Sequence, residues 1–367
     1  MATDNQRIYL DYNATAPIFP DVVQAVSQAL GNLGNASSIH TEGRSVRGAI
    51  EDARDSVSKL IGVPASTIVF SSGGTEANTT VIRGLINSGA VHEIFCSAIE
   101  HPSVRDHVNP EHHIPVDNRG QIDLEQLHNI LRGQEAPFLM CVMLANNETG
   151  VLQPIRDVST LVHERGGLVL CDCVQGPGKS DLDFISLGAD FLTFSAHKIG
   201  GPQGIGCIVM NSNSELEPIL IGGGQEKERR SGTENAPGIV GFGAAARLTA
   251  ETSNVGKVSE LRDQLEAALL EAKSDAIIFG REGERIANTT NVAILGTSSE
   301  RQLIKLDLAG FAVSAGSACS SGKIAPSHVL LAMGVSEEIA GSAIRISIGR
   351  ETSWSELEKF VEIWATL

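Results

Sequence analysis

The sequence predicts an α/β protein: a large domain on a mainly parallel, doubly wound sheet, followed by a smaller α+β domain. Two observations carry this. Short apolar, β-favouring runs alternate with amphipathic helical stretches over the first two thirds of the chain, and from 236 to about 272 the pattern turns helical before short strands return. Strand-like runs fall at 67–70, 93–96, 138–143, 168–171, 191–194 and 205–210. Helical spacing separates most of them, at 20–30, 46–60, 76–87, 124–131 and 155–164. In the later part, strands at 290–295 and 344–348 alternate with helices, and a final helix at 353–364 leaves little tail. A domain boundary is expected near 253–256, and no internal repeat or low-complexity linker interrupts the chain.

With 367 residues and 42% hydrophobic content, the chain has enough material for a substantial core and for two domains. Its net charge of −16 argues against nonspecific binding to nucleic acid or to an anionic membrane, both of which reward clustered Lys and Arg. The first seven residues are polar, and no run of about 18 apolar residues offers a membrane span, so a cytoplasmic location is the expectation. The six cysteines are scattered through apolar segments without a paired framework, as reduced thiols are; five are expected to be small core residues.

Strand ends of an α/β sheet are where ligands bind, so residues just after each strand are the candidates. Lys198 closes Ser195-Ala196-His197-Lys198 directly before a glycine turn, a place where a lysine could hold a cofactor. Read alone, it is equally an ordinary solvated loop lysine. The segment Ser71-Ser72-Gly73-Gly74-Thr75-Glu76 follows a strand and opens a helix, which makes either an anion cradle or a plain capped turn. A dinucleotide site fits worse, because neither Gly73-Gly74 nor Gly176-Pro177-Gly178 has the GxGxxG spacing. Asp172 and Gln175 end another strand; a carboxylate there could keep a pyridine nitrogen protonated, or could cap a helix or pair with an arginine. His101 could stack on a flat ring and relay protons, or be a structural histidine. Asn147, in Asn146-Asn147-Glu148-Thr149-Gly150, adds polar groups to the same edge. Cys171 and Cys173 lack the further ligands a zinc site needs, so no metal is expected. Cys319 stands apart from the other thiols in a small-residue loop, Ser314 to Gly322, that could swing; taken alone it could equally be an inert exposed thiol.

Together these segments resemble one family. Asp11-Tyr12-Asn13-Ala14-Thr15-Ala16-Pro17, Ser37-Ser38-Ile39-His40, Ser72 to Asn78, Glu100-His101, Asn146 to Gly150, Asp172 with Gln175, Ser195 to Lys198, Arg230-Ser231-Gly232-Thr233 and Ser317-Ala318-Cys319 occur in the order expected of cysteine desulfurases. These are pyridoxal 5'-phosphate enzymes of the class V aminotransferase family, with the fold-type-I architecture. The resemblance implies a large cofactor-binding domain over 16–254, and a small domain from 1–15 and 255–367 that carries the cysteine loop. It implies that Lys198 carries the cofactor covalently and moves substrate protons. Asp172 would pair with the pyridine nitrogen, Gln175 and Asn147 would contact the ring hydroxyl region, and His101 would stack on the ring. Gly74, Thr75, Ser195 and His197 would hold the phosphate, joined by Gly232 and Thr233 from the second subunit of an obligate homodimer. Arg345 would clamp the substrate carboxylate beside Asn147.

The implied reaction converts L-cysteine to L-alanine and leaves the sulfur on Cys319 as a persulfide, for iron–sulfur cluster assembly or another sulfur acceptor. The Ser-rich loop resembles the subfamily with a mobile cysteine; the Arg-x-Gly-x-His-Cys motif of the other subfamily is absent. The chain departs from the family at Thr79, at Gly34-Asn35-Ala36 and in its short C-terminal stretch, where housekeeping members often carry a tail that docks an iron–sulfur scaffold. A selenocysteine lyase or related β-eliminating enzyme, and a non-catalytic sulfur-transfer partner, are the alternatives.

Overall fold

A computed structural model of the chain describes residues 7–134, 137–180, 183–210, 214, 216–316 and 325–367. A seven-stranded sheet runs in the order Ile68–Ser71, Gly206–Met210, Phe191–Ser195, Leu168–Asp172, Phe138–Met143, Glu93–Ser97 and His113–Ile114. All neighbours are parallel except Gly206–Met210, which runs antiparallel to the strand on either side of it. The central strands are apolar along their whole length because both faces are covered: every residue of Phe138–Met143 is buried. Since Gly206–Met210 reverses direction twice over, Ile68–Ser71 again points the same way as Phe191–Ser195. The carboxyl ends of the other six strands therefore meet at one edge.

The helices Pro20–Leu30, Thr41–Ile61 and Ala236–Thr252 pack together against one face of this sheet. A side chain at Gly243 would place its Cβ 2.6 Å from the Ala53 Cα, so glycine is what lets the second and third of these helices approach so closely. The helix expected at 46–60 begins earlier, at Thr41. Its start is a cap, not an apolar stripe: the Gly43 N–H donates to His40 Nδ1 at 3.3 Å.

A second sheet, antiparallel throughout, has the order Ser314–Ala315, Ala343–Ser347, Thr289–Ala293 and Ile277–Phe279. Its core brings Leu10 together with Leu265, Leu269, Phe360 and Trp364, so the two ends of the described chain share one apolar cluster. The short strand Ile8–Tyr9 pairs in parallel with Phe311–Ala312, and Asp11 bridges to Ser347. Among the described residues, no helix is long and apolar enough to cross a membrane.

Candidate active site

The loops that leave the common edge of the large sheet, together with Asn13, Ala14, Ser314 to Gly316 and Arg345, enclose a cavity of about 480 Å³. Lys198 sits in the single helical turn Ala196–Lys198 that follows the strand Phe191–Ser195. Its Nζ donates to the backbone oxygens of Asn13 at 2.6 Å and Ala14 at 2.9 Å. Burial, helped by the Arg345 guanidinium and opposed by Asp172 and Asp11, pushes the amine down to about 8. A lysine in this state is partly an uncharged nucleophile near neutral pH.

Asp172 ends the neighbouring strand and is 8% exposed. Its Oδ2 accepts from Asn78 Nδ2 at 2.8 Å and its Oδ1 from the Val174 N–H at 3.0 Å. Asn78 extends the chain of contacts, because Nδ2 also donates to Ser103 Oγ at 3.0 Å and Oδ1 accepts from Thr193 Oγ1 at 2.7 Å. Ser103 then faces His101 Nδ1, with its hydroxyl at 2.9 Å and its backbone N–H donating at 3.1 Å. Since that ring nitrogen accepts a backbone proton, the neutral imidazole carries its own hydrogen on Nε2. Burial holds His101 below the ordinary histidine range, with Lys198 and His328 adding to the effect and Asp172 opposing it.

The helix Gly74–Asn87 begins at the cavity without a side-chain cap, so its first-turn N–H groups are open to a ligand. Gly73 has φ +154°, in the region that favours glycine, and a Cβ on Gly74 would lie 2.8 Å from Val174 Cγ2. Thr75, Ser195 and His197 also line the cavity. His197 Nδ1 lies 3.1 Å from Thr15 Oγ1, and burial together with Lys198 and Lys179 pushes its ring down to about 4.

Arg345 comes from the second sheet. It pairs with Asp11 Oδ1 at 2.6 Å and donates to the Asn147 backbone oxygen at 3.0 Å, while its buried Nε has no partner among the described residues. Gln175 donates from Nε2 to the Asn13 oxygen at 3.0 Å. Thr233 does not reach this cavity. It lines a second one of about 230 Å³, beside Ser72 and Arg230. Cys319 lies outside the described residues, and the five described cysteines are all buried.

Sequence reasoning gave no individual role to Asn13, Asn78, Ser103, Lys179 or His328, all at or directly behind this cavity. Asn13 and Asn78 lay inside motifs carrying the resemblance. Lys179 follows the glycine run Gly176-Pro177-Gly178, which carries no dinucleotide fingerprint and no other signature of chemistry. Ser103 and His328 follow Pro102 and Ser327 at the first turns of short helices, which have no sequence signature of chemistry.

The donor set suits a phosphorylated pyridine aldehyde: an amine held partly neutral, a buried carboxylate for a ring nitrogen, and an uncapped helix start made of glycine. Arg345 Nε, without a partner among the described residues, is a donor of the kind an anionic group could use. The aminotransferase class-V family model matches residues 8–360. A cysteine desulfurase of Nostoc sp. is 40% identical, over 97% of this chain and 91% of that protein. One from Cereibacter sphaeroides is likewise 40% identical, over 98% of this chain and 95% of that protein. Among solved structures, a NifS-like protein from Rickettsia africae matches with a TM-score of 0.89 at 36% identity, covering 98% of each chain. SspA in complex with cysteine matches with a TM-score of 0.80 at 28% identity, covering 94% of this chain and 99% of that one. On this site and this breadth of similarity, the chain belongs to the class-V aminotransferase family and, within it, to the pyridoxal-phosphate-dependent cysteine desulfurases.

Proposed function

We propose that the protein removes the sulfur of L-cysteine as a persulfide on Cys319 and releases L-alanine. The observation that carries this reading is the convergence of Lys198, Asp172, His101 and Arg345 on one cavity. Arg345 binds the substrate carboxylate, using the Nε that has no other partner among the described residues, and so orients the α-carbon toward Lys198. Lys198 Nζ takes the proton from that carbon, a role suited to an amine near pKa 8. Pyridoxal phosphate, when bound, supplies the electron sink that makes the α-proton acidic. Asp172 keeps the proton on the ring nitrogen, and its own place is fixed by Asn78 and the Val174 N–H. His101, held by Ser103, passes a proton from Nε2. Gly74, Thr75, Ser195 and His197 hold the phosphate, and Gln175 and Asn147 the ring hydroxyl. The Cys319 thiolate forms the S–S bond to the substrate sulfur as the C–S bond breaks. The electron pair of that bond goes to the three-carbon fragment, which is protonated to alanine.

Thr233 stands away from the cavity of its own chain, which supports its service to a partner subunit's phosphate in a homodimer. The division into 16–254 and 1–15 with 255–367 is proposed on the same footing, supported by the apolar cluster that Leu10 shares with Leu265 and Trp364. The sulfur would pass to iron–sulfur cluster assembly or to another sulfur acceptor, in a protein proposed to be cytoplasmic. The test is alanine and sulfide release from L-cysteine with excess thiol reductant. Equimolar products are expected, lost in Cys319→Ala while cofactor absorption is kept; unchanged turnover in the variant refutes the role of Cys319.

A further inference from the structure

Lys179 is the one buried lysine of the site for which the proposed chemistry has no use. It is 8% exposed, and among the described residues no carboxylate lies in ion-pair reach of it. Its Nζ donates instead to two side-chain amides, at Asn13 Oδ1 over 3.1 Å and at Gln175 Oε1 over a shorter distance. An amine so buried, beside Lys198 and Arg345, is held well below the ordinary lysine range. Charged or neutral, it has protons enough for both bonds.

The two amides depend on Lys179 to different degrees. Asn13 is held on every side: Oδ1 also accepts from Asn288 Nδ2 at 3.0 Å, and Nδ2 donates to Thr289 Oγ1 at 2.8 Å and to the Asn147 oxygen at 3.1 Å. Among the described residues Gln175 has two anchors, with Nε2 on the Asn13 backbone oxygen at 3.0 Å and Oε1 on Lys179. A half-turn of the Gln175 amide would set its oxygen against the Asn13 oxygen and its NH₂ against the Lys179 amine. Together with the Asn13 oxygen, Lys179 therefore sets which end of this amide faces which way, and the second N–H of Nε2 is left as the donor that Gln175 offers a ligand.

We propose that Lys179 is a positioning residue that locks the Gln175 amide with its NH₂ group presented to the cofactor. The proposal rests on the desulfurase reading, in which Gln175 meets the ring hydroxyl of pyridoxal phosphate. Its mark is dependence on Gln175, which a double-mutant cycle measures. Apoprotein of full-length wild type, Lys179→Met, Gln175→Ala and the double variant is titrated with pyridoxal phosphate, and the dissociation constant and absorption maximum of the bound cofactor are read. Lys179→Met is expected to weaken binding about 3- to 10-fold, the scale of one lost hydrogen bond, and to move the absorption maximum in the same direction as Gln175→Ala. In the Gln175→Ala background, the same change is expected to alter the dissociation constant less than about twofold. Lys179→Ala is carried through the cycle in parallel, so that a misfolded Lys179→Met, recognised by its thermal melt, leaves the decision to the other variant. Equal weakening with and without Gln175 overturns the proposal, as does unchanged binding. Wild-type apoprotein that takes up no pyridoxal phosphate overturns the reading of the whole site, an outcome distinct from the other two.

Discussion

A lysine that must act as a nucleophile near neutral pH has to be held away from its ordinary protonation equilibrium, and Lys198 offers a quantitative test. Its amine lies at about 8 against an ordinary value near 10.5, chiefly because burial penalises the ammonium and Arg345 repels it. That gap corresponds to about 3 kcal/mol against charging. At pH 8 half of the Lys198 amines are neutral, where an ordinary lysine would be neutral roughly one time in three hundred. Apoprotein treated briefly with an amine-directed reagent across a pH series, with modification of Lys198 read by peptide mass spectrometry against exposed Lys257, should show Lys198 reactivity half-risen near pH 8. Asp172→Asn should lower that midpoint, since Asp172 favours the charged form, and Arg345→Gln should raise it. The same displacement enters stability. Between about pH 8 and 10.5 the unfolded chain holds this proton and the native apoprotein has lost it, so native stability rises with pH through that window; below it both states are charged and the full penalty is felt. A midpoint near 10, or one that neither substitution moves, would refute the argument that burial and Arg345 set the amine.

Two further outcomes test the supports of the site. Arg54 and Glu226 form a buried pair at 2.8 Å, and Glu226 also accepts the Phe70 N–H at 2.8 Å; Arg54→Met strands this carboxylate and should destabilise the fold by about 3–5 kcal/mol in guanidinium melts, partly recovered by adding Glu226→Gln. Ser103→Ala removes the hydroxyl between Asn78 and His101, and should slow alanine formation roughly 3- to 10-fold while the dissociation constant of pyridoxal phosphate stays within about twofold.

Much of this architecture is legible in the residues because the large sheet is covered on both faces. Runs such as Phe138–Met143 and Phe191–Ser195 are apolar without interruption, and their ends mark where Asp172, Lys198 and His101 must lie. What escapes reading is set by partners distant in sequence. The strand Ile8–Tyr9 exists because Phe311–Ala312 lies beside it, and the edge strand His113–Ile114 is two residues long with no pattern of its own. The same holds within the site. Ser103 matters because Asn78 and His101 both bond to it, and Lys179 because Gln175 and Asn13 turn their oxygens toward it. None of these pairings leaves a spacing that composition or periodicity could reveal.

Asn13 explains why so short a segment before the first helix belongs to the site at all. Its backbone oxygen accepts from Lys198 at 2.6 Å and Gln175 at 3.0 Å, both on turns that follow strands of the large sheet. Its other groups reach the second sheet, with the backbone N–H donating to Ser347 Oγ at 3.0 Å and Nδ2 to Thr289 Oγ1 at 2.8 Å. Two residues away, Asp11 holds Arg345 at 2.6 Å. The guanidinium stands on the second sheet and the amine on a turn that follows a strand of the large one, so no single element fixes the distance between them. The segment from Asp11 to Ala14 does so, because it is bonded to both at once. In the proposed reaction, a substrate held by its carboxylate at Arg345 and deprotonated at its α-carbon by Lys198 needs that distance set before it arrives, which would make these four residues part of the catalytic geometry although none of them carries the chemistry.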